Sequence, residues 1–178
     1  MVVLGIDPGT ANTGFGVVSD GRGRMHAVDG GVICTAPGTP PERRLEAIHA
    51  RVSALIEEHC PDAVALEDLY FGVNARSAFA VGQARGVVML AAGQAGLPCS
   101  SYTPQQVKSA VCGTGRAGKE QVGRMVQALL ALTAPPTPDH AADALAVAIC
   151  HVNRAPLAAL LPSTAAARPV PPDTAVIG

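Results

Sequence analysis

The chain opens with two apolar runs, VVLGID and FGVVSD, in which one acid, Asp7, closes the first run before a Pro-Gly-Thr turn. A third run, GGVICT, follows across segments rich in Gly, Asp and Asn. Short apolar runs bounded by such residues predict strands joined by tight turns, here an antiparallel meander over roughly the first 35 residues. From Pro41 to His59 the pattern changes: Leu45, Ile48, Val52, Leu55 and Ile56 recur at spacings of three and four among Glu and Arg. That period predicts an amphipathic helix.

AVALE follows, a short apolar run ending on Glu67 as the first ended on Asp7. A helix and then a strand after a meander imply a crossover and a parallel addition to the same sheet. A second helix is expected from about Asn74 to Ala95, thinned on one side by Ala78, Gly82, Gly86 and Gly93. Such small residues permit close approach to the sheet or to a partner chain, and the pattern does not choose between them. PCSSYT reads as a last strand. Thr103 then caps a short helix, with Pro104 at its first position and Gln106 completing a capping box. KEQVGRMVQALLAL predicts a further helix ended by TAPPTP, and DHAADALAVAICHV a final one with Thr137 as N-cap and Pro138 at N1. The expected architecture is mixed α/β: three antiparallel strands, then two parallel ones, flanked by helices.

At 178 residues and 48% hydrophobic, the chain can bury the core of one ordinary domain. We place that domain at residues 1–154. Residues 155–178, rich in Ala and Pro and without period, read as a mobile tail. Neither a spanning apolar stretch nor a signal-peptide layout is evident, so a cytoplasmic location is expected. Five scattered cysteines without a C-x-x-C pair fit free thiols better than a disulfide framework or zinc site.

The net charge of -1 argues at first against a nucleic-acid partner, but its distribution changes the picture. Between Tyr70 and Pro138 stand Arg76, Arg85, Lys108, Arg116, Lys119 and Arg124 against the single acid Glu120. Such asymmetry is the footprint of a surface that binds phosphates.

The acids carry the chemistry. Asp7 and Glu67 end strands, and Asp139, His140 and Asp143 occupy the first turn of the last helix, where spacings of three and four share a face. An acid at a strand end is costly if buried unpaired, so it faces solvent, a basic partner or a cation. Only a cation accounts for several acids at once. Oxygen-rich sites suit Mg²⁺ or Mn²⁺, and two such ions roughly 3.5–4 Å apart clamp the attacking water and the leaving oxygen of a phosphodiester. The helix N-terminus would favour an ionised Asp143 and a neutral His140. The residues alone reach a metal-dependent nuclease.

Four ordered blocks go further: GIDPGTANTGFGVV, ALEDLYFGVN with SAFAVGQARGVV, TPQQVKSAVCGTGRAGKEQV, and DHAADALAVAI. Together they resemble the RuvC family of bacterial Holliday-junction resolvases, within the ribonuclease H-like superfamily. The resemblance implies a ribonuclease H-like fold and a metal-binding catalytic set of Asp7, Glu67, His140 and Asp143. The family's third ligand varies between Asp and His; His140 occupies that place here, with Asp139 just before it. Lys108 and Lys119 match lysines the family needs for activity. Tyr70 falls where the family carries an aromatic that engages bases near the crossover. Phe71 beside it, with Arg76 and Arg116, completes the expected DNA contacts along with the two lysines. The resemblance further implies a homodimer, four-way junction DNA as substrate, paired symmetric nicks in recombination and repair, and the RuvA–RuvB branch-migration complex as a partner.

Rival readings are weaker. GTGRAGK imitates a P-loop, but Glu120 stands where Ser or Thr would hold Mg²⁺, and the segment follows a helix rather than a strand. The GIDPGT turn is similar to the phosphate loop of actin-like ATPases, yet the chain is too short for their two lobes. An inert DNA-binding scaffold would not need the acids. A ribonuclease H-like nuclease acting on precursor ribosomal RNA is the nearest alternative.

Overall fold

In the computed structural model, residues 1–21, 23–68 and 75–159 are described, with backbone only at 75–77 and 156–159. Strand β1 (Val2–Asp7) pairs antiparallel with β2 (Asn12–Gly21), which pairs antiparallel with β3 (Arg24–Cys34). Helix α1 (Pro41–His59) crosses to β4 (Ala63–Glu67), which lies parallel to β1. Helix α2 (Ala75–Gln94) then leads to β5 (Cys99–Tyr102), parallel to β4. The sheet order is β3-β2-β1-β4-β5, followed in the chain by α3 (Pro104–Cys112), α4 (Lys119–Leu129) and α5 (Asp139–Ala159). The predicted meander, crossover and parallel additions are all present.

Alternation divides the sheet into two faces. Leu4, Ile6, Phe15, Val17, Val64 and Leu66 point to one side, where Ile48, Val52 and Leu55 of α1 and Ala84, Val88, Ala91 and Ala92 of α2 cover them. Val3, Val18 and Ala65 point to the other, beneath Leu145, Ala148 and Ile149 of α5, with Val107 and Val111 of α3 and Val122 and Val126 of α4 in the same cluster. Asp7 and Glu67 share the parity of Val3 and Ala65, so they emerge on the α5 side.

Three glycines on that side set how closely α5 lies. A Cβ on Gly5 would stand 2.2 Å from the Ala144 carbonyl oxygen, and one on Gly14 would stand 2.0 Å from that of His140. On Gly16 it would reach Leu145 Cγ at 2.7 Å. Only hydrogen fits between strand and helix at these positions.

Several boundaries differ from the sequence expectation. β2 begins at Asn12 rather than Phe15, and β3 at Arg24 rather than Gly30. The added half of β3 lies on the sheet edge, where Arg24, His26 and Val28 are exposed, so no apolar run marks it. The capping box of α3 is as expected: Gln106 N–H donates to Thr103 Oγ1 at 3.2 Å, and Thr103 N–H donates to Gln106 Oε1 at 2.9 Å. Thr137 does not cap α5, and Pro138 is not its first residue. The Pro138 carbonyl accepts from the Ala141 and Ala142 amides, so the helix starts at Asp139 after a cis Thr137–Pro138 bond. α4 stops at Leu129, short of Leu132, with Ala131 in the left-handed region. α5 runs to Ala159, beyond Val152, where the predicted helix ended. Among the described residues no helix is long and apolar enough to cross a membrane, and all five cysteines are free thiols.

Candidate active site

The turn after Asp7 is fastened from both sides. Thr13, fully buried, donates its hydroxyl to the Gly9 carbonyl at 2.5 Å. Thr35 at the end of β3 donates to the Thr10 carbonyl through Oγ1 at 2.7 Å and to that of Ala11 through its amide at 2.9 Å. Asp7 is thereby held at the C-terminal end of β1, one strand from Glu67 at the same end of β4.

The start of α5 lies over these two ends. His140 Nδ1 donates to Asp7 Oδ2 at 2.7 Å, a pairing the close fit of Gly14 beneath the His140 carbonyl makes possible. Asp143, one turn on, faces Lys119 of α4 with Nζ to Oδ2 at 3.4 Å. Asp139 points elsewhere: its side chain is 76% exposed and pairs with the same Lys119 at 3.1 Å. Of the two neighbours, His140 is the one that meets Asp7.

Burial pushes the Glu67 carboxyl up to about 8, and the charges of Asp7 and Asp143 push the same way against a smaller opposing effect of Lys108. The hydrogen bond between Glu67 and Asp7 raises it further. Asp143 also titrates above its ordinary value, because burial and the charge of Asp7 outweigh Lys119. Desolvation thus works against the helix N-terminus at Asp143. At Lys119, burial lowers the ammonium, but hydrogen bonds and charges from Asp139 and Asp143 prevail and raise it.

Glu67, Lys108, Lys119 and Asp143 line one cavity of about 170 Å³, floored by Val107, Val122 and Ala146. Both predicted lysines thus face the carboxylates. A wider groove of about 530 Å³ adjoins it, running past Lys119, Arg124, Pro135 and Pro136. Arg116 is exposed in the α3–α4 loop, away from these linings. Tyr70 and Phe71 lie outside the described residues, and Arg76 opens α2 with its side chain likewise outside them.

The carboxylate set is spread more widely than a tight single-ion cluster. Among the described residues, the only three such donors within 4.8 Å of one another are Asp29 of β3 with Glu58 and His59 of the last turn of α1, apart from this site. There His59, in the last turn of α1, pairs with Asp29 at 3.1 Å.

The family described as crossover junction endodeoxyribonuclease RuvC matches residues 3–151. The chain belongs to the RuvC family. A crossover junction endodeoxyribonuclease RuvC of Moorella thermoacetica is 54% identical over 156 residues, covering 88% of this chain and 93% of that protein. The RuvC structure of Thermus thermophilus superposes with a TM-score of 0.83 at 43% identity, covering 89% of this chain and 97% of that one. The T. thermophilus RuvC in complex with a Holliday junction substrate gives 0.81 at 40% identity, over 88% and 96%. RuvC membership fixes the sheet with its flanking helices as a ribonuclease H-like fold.

One functional group escaped sequence reasoning. Arg85 of α2 counted only toward the basic segment, yet its guanidinium turns inward to the Glu67 carbonyl, Ser101 and Asp68. Its signal was a single charge between Phe79 and Gly93, a stretch otherwise apolar or small but for Gln83.

Proposed function

We propose that this chain resolves four-way DNA junctions as a structure-selective endonuclease, hydrolysing phosphodiesters in paired, symmetric nicks near the crossover during recombination and repair. The observation that carries the reading is the convergence of Asp7, Glu67, His140 and Asp143 beside two lysines, in a chain of the RuvC family.

The donor set fits divalent cations. Burial, with the charges of Asp7 and Asp143, raises the Glu67 carboxyl to about 8, as expected of a desolvated acidic site whose counter-charge is a cation. Asp7, Glu67, Asp143 and His140 would hold Mg²⁺ or Mn²⁺, and the spread of their donors suits two ions better than one. Bound there, the ions supply an activated water and neutralise the charge developing on the phosphate. The protein's own contribution is rigidity and charge. Two strand ends and a helix docked on glycines fix the ligands, and the Lys108 and Lys119 ammonium groups face the cavity where a phosphate would sit. Tyr70, Phe71, Arg76 and Arg116 remain the proposed flanking DNA contacts.

A homodimer supplies the second nick. Its proposed interface is the outer side of α2, where Phe79 is 72%, Met89 50% and Leu90 54% exposed, and where Gly86 and Gly93 face open space. Gly86 and Gly93 thus point away from the sheet, leaving room for a packed partner helix. The RuvA–RuvB complex is the proposed source of junctions.

The test is cleavage of a labelled four-way junction beside linear duplex and RNA–DNA hybrid, with Mg²⁺, with Mn²⁺ and with EDTA. Metal-dependent paired nicks confined to the junction are expected, and Asp7→Asn should fold and bind the junction without cutting it. Cleavage of hybrid in place of the junction would overturn the substrate; loss of the fold in Asp7→Asn would make Asp7 structural.

A further inference from the structure

Glu67 is the last residue of β4, and nothing in the strand itself dictates where the chain goes after it. The carbonyl of Glu67 is instead taken by Arg85, whose Nη1 donates to it from the middle of α2. The second arm, Nη2, donates to Ser101 Oγ of β5 at 3.0 Å and pairs with Asp68 Oδ1 at 3.3 Å. The amide of Asp68 in turn donates to the Tyr102 carbonyl at 2.7 Å. One guanidinium therefore ties a helix to the ends of two adjacent strands at the residue that bears the carboxylate.

This is an unusual use of a charge. The Arg85 side chain is only 13% exposed, on a helix whose neighbouring inward residues, Ala84 and Val88, are fully buried. A buried guanidinium persists where its planar fork meets several fixed acceptors, and a carbonyl, a hydroxyl and a carboxylate provide them here. A phosphate-binding arginine would point its fork to solvent; this one is spent on the backbone of Glu67.

We propose that Arg85 is a positioning residue for the nuclease site: it fixes the end of β4 from α2 and so sets where the Glu67 carboxylate stands relative to Asp7 and Asp143. The proposal rests on the catalytic role of Glu67 proposed above. It also makes α2 a two-sided element, with Arg85 gripping the site on one side and the exposed Phe79 and Leu90 turned away from it.

The experiment compares Arg85→Gln, Arg85→Lys, Ser101→Ala and Glu67→Gln with the wild type. The readouts are thermal unfolding, junction affinity in EDTA, Mn²⁺ affinity followed by electron paramagnetic resonance without DNA, and the single-turnover cleavage rate on saturating junction. Changes to groups that orient metal ligands cost roughly 10- to 100-fold in metal affinity or activity. Arg85→Gln is expected to lose cleavage and Mn²⁺ affinity on that scale with junction affinity unchanged. Arg85→Lys, which keeps one donor and the charge, should recover part of both, and Ser101→Ala should show a smaller loss. Should Arg85→Gln fail to fold, the last two variants decide, because neither leaves Asp68 facing a neutral group.

Wild-type cleavage and Mn²⁺ binding in Arg85→Lys and Ser101→Ala would overturn the proposal. So would losses in Arg85→Gln that follow the fall in junction affinity or folded fraction. Full cleavage by Glu67→Gln would instead overturn the catalytic reading of Glu67, a failure recognisable because it does not involve Arg85.

Discussion

Metal-free protein should lose stability as pH rises from about 4.5 to about 8, and Glu67→Gln should remove most of that loss. The Glu67 carboxyl moves from its ordinary value of 4.5 up to about 8 on folding, through burial and then the charges of Asp7 and Asp143. Across that window the folded chain holds a proton the unfolded chain has released, so unfolding becomes easier with each step in pH. The slope is about 1.4 kcal/mol per pH unit, which bounds the total at roughly 5 kcal/mol, with roughly half expected once solvent relaxes around the cluster. Above 8 both states are ionised and the slope from this group ends; below 4.5 both are protonated. Urea denaturation in EDTA at half-unit intervals from pH 5 to 9 measures it directly. The difference between wild type and Glu67→Gln isolates this cluster from every other titrating group. Millimolar Mn²⁺ at pH 8 should restore wild-type stability and do less for the variant, because a ligand bound only by the folded state adds to its stability. Parallel pH profiles for the two proteins would refute the reasoning, since they would mean that neither burial nor the neighbouring acids raise the Glu67 carboxyl.

Three further expectations concern parts of the fold outside the ligand set. Gly14→Ala should destabilise by about 1–3 kcal/mol and abolish cleavage, because its Cβ would stand 2.0 Å from the His140 carbonyl and helix backbone must yield. Gly123→Ala in α4, with open space around its Cβ, should stabilise by a few tenths to about 1 kcal/mol, and equal Tm values for the two variants would rule out the close docking of α5. Leu90→Glu, on the exposed side of α2, should yield a folded monomer in sedimentation experiments, with paired nicking lost; a persistent dimer would place the interface elsewhere.

Why some of this was legible in the sequence and some was not has a physical pattern. Elements whose chemistry is local were readable in place. Thr103 and Gln106 satisfy each other's amides within three residues, and β1 and β4 are short apolar runs stopped by an acid. The edge half of β3 has no such signature, since Arg24 and His26 are exposed and only pairing to β2 makes them strand. The choice between Asp139 and His140 was likewise open. Consecutive helical residues differ by about 100° in direction, and which one meets Asp7 depends on how α5 lies on the sheet. That placement is set by Gly5, Gly14 and Gly16, residues that in isolation only weaken strands. Their meaning is relational: each is required by the backbone of a helix more than 120 residues further along. The acids therefore announce a site, but the distance between its halves is written in glycines, and a single added methyl there would separate His140 from Asp7 without altering any ligand.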